Sequence, residues 1–317
     1  MTLKSVARHS ATVLIILVTV LCIFTPDLVF LRQYAGYTLY LMLGLLGFGF
    51  LCFVFNDSHL MMVSLLCCCG LSLYLKDSSN QKIRLATVTS NPALRVSHIS
   101  LGNAEADYDA VIDYLLGINA DFLSVQELTP DWNEHLIERL TPQYHYVQTL
   151  TRIDQYGMGF FSKLPFQQLD TFYFLEIPNL AATVLLDGST CKIISCQLMP
   201  PVNESAFAAI DQHFRLVSDY VDTLHEPTVV LGDFHLPPWS AEVQRFRTNS
   251  HLQDGRRDIH PRNIDGSLSL PRIPVEHILY SDDFDCTAFS DIGNAMVGRL
   301  GITGTYQLQL DHEAMVQ

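Results

Sequence analysis

Two carboxylates carry the chemistry that this sequence suggests. Residues 94–127 have the pattern of a strand, a helix and a second strand ending in Gln126-Glu127, and Gly232-Asp233-Phe234-His235 sets an aspartate at another strand end. Carboxylates at the carboxyl edges of separate strands can share a hard divalent cation, which prefers oxygen ligands and can neutralise a phosphate. Each also has a plainer explanation. Glu127 alone is a solvated strand-end carboxylate, and Asp233 alone is an Asx-turn former after Gly232.

The scaffold that must position them is expected to be α/β. Strands are predicted over 94–99, 122–125, 144–148, 157–162, 181–186, 192–197, 227–231, 277–280 and 305–310, with helices over 107–118, 132–140 and 206–224. Asp187-Gly188 marks a hairpin turn between two of these strands. In 107–118 the apolar Val111, Ile112, Leu115 and Leu116 share one helical face. Strands mixed with helices and hairpins argue for a sandwich of mixed sheets.

Ahead of this domain the chain is almost wholly apolar. Three runs, 11–31, 37–55 and 59–75, are read as transmembrane helices, since about 20 residues at roughly 1.5 Å each cross the hydrocarbon layer. Residues 1–76 are thus expected to form a membrane anchor, 77–93 a linker and 94–317 the functional domain. The first run resembles a signal peptide in having Lys4 and Arg8 before it, but no A-x-A-like cleavage site follows. Those two charges favour a cytoplasmic amino terminus, which after three crossings places the domain outside; Lys76, Lys82 and Arg84 weigh against that orientation.

Charge and cysteine usage narrow the partners. Lys4, Arg8, Arg32 and Lys76 against Asp27, Asp57 and Asp77 leave residues 1–80 at +1, so the remainder carries −15 of the chain total of −14. A domain that acidic, with no basic cluster beyond Arg256-Arg257, is a poor binder of bulk nucleic acid. Five of the eight cysteines lie in the apolar runs, and Cys191 and Cys196 fall on opposite faces of one strand. Neither a structural disulfide nor a zinc site is expected.

In order and spacing, the segments LRVSHISLGN, ADFLSVQEL, GMGFFSKLP, SCQLMPP, VVLGDFHLPPWS and IPVEHILYS resemble the endonuclease/exonuclease/phosphatase superfamily, in its membrane-anchored bacterial branch. The resemblance covers about residues 94–317 and implies a four-layered sandwich of two mixed β-sheets flanked by helices. It also implies a Mg²⁺- or Mn²⁺-dependent phosphodiesterase or phosphatase, with a bacterial inner membrane and a periplasmic domain as the expected setting. By this resemblance Glu127 is the metal-binding glutamate and Asp233 the aspartate that positions water.

Other positions depart from the family pattern. Ser100 stands where an asparagine is expected, with Asn103 nearby, and Gln197 where a histidine is expected. His235 replaces the asparagine of the usual G-D-F-N, and Glu276-His277 replaces Asp-His. The final Ser-Asp-His has two registers. If 302–310 is the closing strand, its histidine position falls on Arg299 or Gly304; if Asp311-His312 is the motif, the pair is intact. The first register is preferred, while His312 is kept beside His235 as a candidate for proton handling, with Glu276 a further candidate ligand of the metal. Two functions compete on these grounds: a hydrolase of a small or lipid-linked phosphate ester, and an inactive descendant serving as a membrane-tethered binding or scaffold module.

Overall fold

The computed structural model describes residues 3–24, 32–79, 84–105, 107–256 and 272–309. Three apolar helices open the chain: α1 (Leu3–Ile23), α2 (Thr38–Val54) and α3 (Ser58–Ser79). All three are long and apolar enough to cross a membrane. The first ends at Ile23, and residues 25–31 of the predicted run lie outside the described residues. The third runs to Ser79, past the expected boundary at 76, because its last turn has partners in the domain. Arg247 Nη1 donates to Ser78 O over 2.7 Å and Gln244 Nε2 to the same carbonyl over 2.5 Å, satisfying a helix-end acceptor that would otherwise need water. Helices α2 and α3 form a hairpin, tied by the buried Ser64 Oγ donating to Leu45 O at 2.6 Å.

The domain is the four-layered sandwich. One sheet contains β1 (Ala93–Ser100), β2 (Phe122–Gln126), β3 (Tyr146–Leu150), β4 (Met158–Ser162), β11 (Phe284–Asn294) and β12 (Gly298–Leu308), in the order β11-β12-β1-β2-β4-β3. The other contains β5 (Phe166–Phe174), β6 (Ile177–Leu186), β7 (Ser189–Cys196), β8 (Thr228–Asp233), β9 (Gln253–Asp254) and β10 (Glu276–Tyr280), in the order β5-β6-β7-β8-β10-β9. The pairs β1–β2 and β7–β8 are parallel and the others antiparallel. Each sheet is therefore mixed. Helices α4 (Tyr108–Ile118) and α5 (Pro130–Leu140) cover the first sheet; α6 (Glu204–Asp222) and α7 (Ala241–Asn249) cover the second.

Strand periodicity sorts the core into layers. Leu94, Val96 and Phe122 point between the sheets, where they meet Leu180, Ile193 and Leu231. Ile99, Leu123 and Val125 point the other way, onto Val111 and Leu115 of α4. On the second sheet Ile194 and Val230 meet Phe207, Ile210 and Phe214 of α6. Helix starts follow capping chemistry: Asp107, Thr129, Asn203 and Ser240 each accept a backbone N–H with the side chain.

Strands β5 and β11 and helix α7 are absent from the sequence prediction. Both strands lie at sheet edges, so half of each faces water and the apolar signal is diluted by Gln167, Gln168, Asp170, Ser290 and Asp291. The closing strand is β12, which begins at Gly298 rather than near 305 and pairs with β1 from Ala93↔Gln307 to Ile99↔Gly301. Its far end lies by the start of β1, where Leu308 N donates to Pro92 O at 2.9 Å. Asp311 and the candidate His312 lie outside the described residues.

The apolar helices pack directly on the domain. Leu39 and Leu75 bury against Trp239, whose Nε1 donates to Ala35 O at 2.7 Å while Tyr74 Oη donates to Trp239 O at 2.9 Å. Arg32 completes the contact, with Nε 2.6 Å from Glu242 Oε1 and Nη2 3.2 Å from Asp211 Oδ2.

Candidate active site

The site assembles where β1, β2 and β8 end and β10 and β12 begin. Strand β2 stops at Gln126, and Glu127 takes a left-handed backbone, φ 59°. A side chain rarely accepts that conformation unless its surroundings fix it. Here they do: Leu128 N donates to Gly157 O at 3.0 Å just beyond the kink. Glu127 Oε1 then accepts from Ser100 Oγ at 2.5 Å. Ser100, the departure at the end of β1, thus orients the carboxylate directly.

Glycine makes the approach possible. A Cβ on Gly102, in the 3₁₀ turn Leu101–Asn103, would lie 2.0 Å from Glu127 Oε2. Gly232 before Asp233 has φ 152°, and a Cβ there would lie 1.8 Å from Cys196 O.

The two carboxylates are registered across the sandwich by Gln126. This fully buried amide donates through Nε2 to Ser195 Oγ and Cys196 O, at 3.1 and 3.2 Å, and its Oε1 accepts the backbone N–H of Asp233 at 2.9 Å. The end of β2 therefore fixes the end of β8, on the opposite sheet. Asp233 Oδ1 in turn accepts from His235 N at 2.8 Å and lies 3.3 Å from His235 Nδ1. Its carboxyl is pushed up to about 6, chiefly by burial and further by the charge of Glu127; the His235 N–H and Arg299 pull the other way.

Glu276 faces Asp233 as its Cα partner between β10 and β8. Burial raises its carboxyl, although Arg299 opposes that shift. Oε1 accepts from Asn103 Nδ2 at 3.3 Å, and Oε2 lies 2.6 Å from Arg299 Nη2. His277, the second half of that motif, points away from the reactive edge: its Nε2 meets Leu236 O at 2.8 Å and its ring stacks on Phe234. It is a packing residue. Gln197 is buried beside the site with no partner for Oε1 among the described residues, and its neighbour Leu198 donates its N–H to Asp233 O at 3.1 Å. His235 also has a buried ring nitrogen, Nε2, without a partner among the described residues. Burial lowers its basicity, while the charges of Glu127 and Glu276 pull upward.

Of the predicted residues, Glu127, Asp233, His235 and Glu276 thus converge. Sequence reasoning missed Gln126 as the cross-sheet tie and Gly102 as the clearance for Glu127; a glycine directly after the β1 end was the available signal for the latter. It also missed His98, buried in the same strand as Ser100 and shifted down to about 3 by burial, then by the charges of His277 and Arg299.

Among the described residues, no group of three or more His, Cys, Asp and Glu side chains is arranged to hold a metal ion. A small hard cation that keeps most of its waters needs only one or two carboxylates. Glu127 and Asp233 suit that demand, because the charge of Glu127 adds to the cost of ionising the buried Asp233 and a cation beside them would offset it.

Comparison with known proteins follows this geometry. Residues 97–294 match the model of the Endonuclease/Exonuclease/phosphatase family. No curated protein matches the chain. Among solved structures, D. rerio TDP2 complexed with single strand DNA product superposes with a TM-score of 0.56 at 16% identity, covering 68% of this chain and 99% of that one. An endonuclease/exonuclease/phosphatase family protein from Bacteroides thetaiotaomicron gives 0.55 at 14%, covering 70% and 100%. A further one, from Beutenbergia cavernae DSM 12333, gives 0.56 at 18%, covering 68% and 72%. At such identities the likeness is one of fold.

Proposed function

We propose, from the premise that this chain belongs to the endonuclease/exonuclease/phosphatase family, that it is a membrane-anchored, divalent-cation-dependent phosphoesterase acting on a small or lipid-linked phosphate ester. The observation that carries this reading is the convergence of Glu127 and Asp233, from opposite sheets, through the single buried amide of Gln126.

Glu127, oriented by Ser100, would hold Mg²⁺ or Mn²⁺ with Asp233 close by. Such an ion, when bound, supplies positive charge to the non-bridging oxygens of a phosphate. Asp233 orients the attacking water and takes its proton, a role that suits a carboxyl displaced toward neutrality. His235 presents Nε2 as a further polar contact for the substrate. Glu276 holds Arg299 at the opposite wall.

Two features support a substrate at the membrane face. The segment after Asp233 and His235 runs into Pro237-Pro238-Trp239, and Trp239 is the anchor's docking point, bonded to Ala35 and Tyr74. The reactive loop and the apolar helices are therefore mechanically continuous. The net charge of −15 outside residues 1–80 disfavours a polynucleotide, whose phosphates would have to be drawn in by a basic surface. With Lys4 and Arg8 retained in the cytoplasm, the domain would face the periplasm of a bacterial inner membrane.

The test is hydrolysis of phosphodiesters and phosphomonoesters, soluble and vesicle-borne, by the full-length protein with Mg²⁺ or Mn²⁺. Glu127→Ala and Asp233→Ala are each expected to lower turnover by on the order of 10²-fold or more. Traces indistinguishable from the parent protein would overturn the reading, and no turnover at all would favour the inactive scaffold.

A further inference from the structure

We infer that Arg299 is the anion-binding residue of this site, gripping the non-bridging oxygens of the substrate phosphate with a charge that does not titrate. The inference rests on the phosphoesterase reading and names a residue that reading does not otherwise require.

Its position follows from an irregularity in the closing hairpin. Ile292 pairs with Gly301 and Gly293 with Arg299, so Leu300 is an extra residue on β12. Such a bulge shifts the alternation of the strand by one. Leu300 accordingly packs outward, with Ile292 and Val297 against the α4 layer, while Arg299 turns inward to Glu276. Without the bulge the two would exchange faces, setting a leucine in the site.

Its contacts leave part of the guanidinium unengaged. Arg299 touches Glu276 Oε2 at 2.6 Å and Asp291 Oδ1 at 3.1 Å, both through Nη2. Among the described residues Nε and Nη1 have no protein partner, although the side chain is only 14% exposed. Guanidinium presents five donors in a rigid fork, and two acids pinning one nitrogen fix the direction of the rest. A charge so far out of water is tolerated because those acids compensate it. The remaining donors belong to a cluster in which Arg299 lowers the proton affinity of Asp233, and in which His235 Nε2 also lacks a partner.

The chemical consequence separates arginine from histidine. Arginine cannot be deprotonated at accessible pH, so it binds an anion equally across the neutral and alkaline range. For the same reason it cannot give a proton to a leaving group. Anion capture at this position is therefore constant, and pH dependence of the reaction must arise elsewhere in the site.

The test is equilibrium binding of inorganic phosphate to the full-length protein with Mg²⁺ present, read by calorimetry and independent of turnover. Because Arg299→Gln alone strands a buried Glu276, the double variant Arg299→Gln/Glu276→Gln is included as a neutral pair. Loss of a charge-assisted contact is expected to weaken binding roughly 10- to 100-fold in the double variant, with Arg299→Lys falling between. Affinity of the parent protein should hold steady from pH 7 to pH 9, once the phosphate's own ionisation is allowed for. Unchanged affinity in the folded double variant overturns the assignment and leaves the phosphoesterase reading intact. Absence of phosphate binding by the parent protein overturns it as well. Arg299-dependent binding without ester turnover would instead uphold the anion site and refute the enzyme.

Discussion

The two walls of the site are built on different principles. The wall formed by β2 and β8 holds Glu127 and Asp233 by backbone geometry: a left-handed glutamate, two glycines at near-contact and one buried amide. The wall formed by β10 and β12 holds Glu276 and Arg299 by charge, as a buried pair extended to Asp291. On the first wall burial, with the charge of Glu127 added, displaces Asp233 to about 6. The second brings its own cation. One wall is thus set by packing and the other by paired charge, and the two should fail under different perturbations.

The largest effect is expected where the first wall is most crowded. Gly232→Ala places a methyl 1.8 Å from Cys196 O at a φ of 152°, so the strand end must move. Such clashes cost about 3 kcal/mol or more, and the variant should melt far below the parent protein in thermal denaturation. A similar loss of folding stability, about 3 to 5 kcal/mol, is expected for Arg299→Gln alone, because Glu276 is left buried beside a neutral amide. Adding Glu276→Gln should restore much of that stability, whereas no charge change should rescue Gly232→Ala. If both respond alike to the compensating change, the contrast between geometric and electrostatic walls is wrong.

Gly102→Ala sharpens the comparison on activity rather than stability. Its methyl would displace Glu127 Oε2, with only side-chain atoms in the way, so the fold survives while the carboxylate swings aside. A misplacement of about 1 Å can cost on the order of 10²-fold, visible in kcat/KM and in the Mg²⁺ concentration needed for half-activation.

Stability against pH has its own signature. Burial depresses the His213 imidazole to about 4, below its ordinary 6.5, and that of His98 to about 3. The unfolded chain therefore binds protons that the native state refuses, so stability is full above pH 6.5 and is lost as pH falls toward 4. His213→Gln, which can still meet Asn179, should flatten part of that acid limb in melting curves.

The smallest effect concerns the docking of the apolar helices on the domain. Trp239→Phe removes the bond to Ala35 O and should cost about 1 kcal/mol. Turnover of vesicle-borne substrate should fall more than that of a soluble ester.

Much of this was legible in the sequence. The apolar runs declare three helices, and central strands such as β2 and β8 declare themselves by continuous burial and by the acids at their ends. What was hidden obeyed rules that lie outside local pattern. Edge strands β5 and β11 have one face in water and lose their periodicity. The tie made by Gln126 is a contact across two sheets, 107 residues apart. Arg299 was one of two positions open to the closing motif, but its entry into the site depends on the bulge at Leu300, which no local pattern announces.

The central claim is that Glu127 and Asp233 converge on one divalent cation. It is tested most directly by titrating the full-length protein with Mn²⁺ and following the free ion by electron paramagnetic resonance. The account predicts a site in the parent protein that is lost in both Glu127→Gln and Asp233→Asn and retained in Glu276→Gln. Equal Mn²⁺ uptake by all four proteins would contradict it.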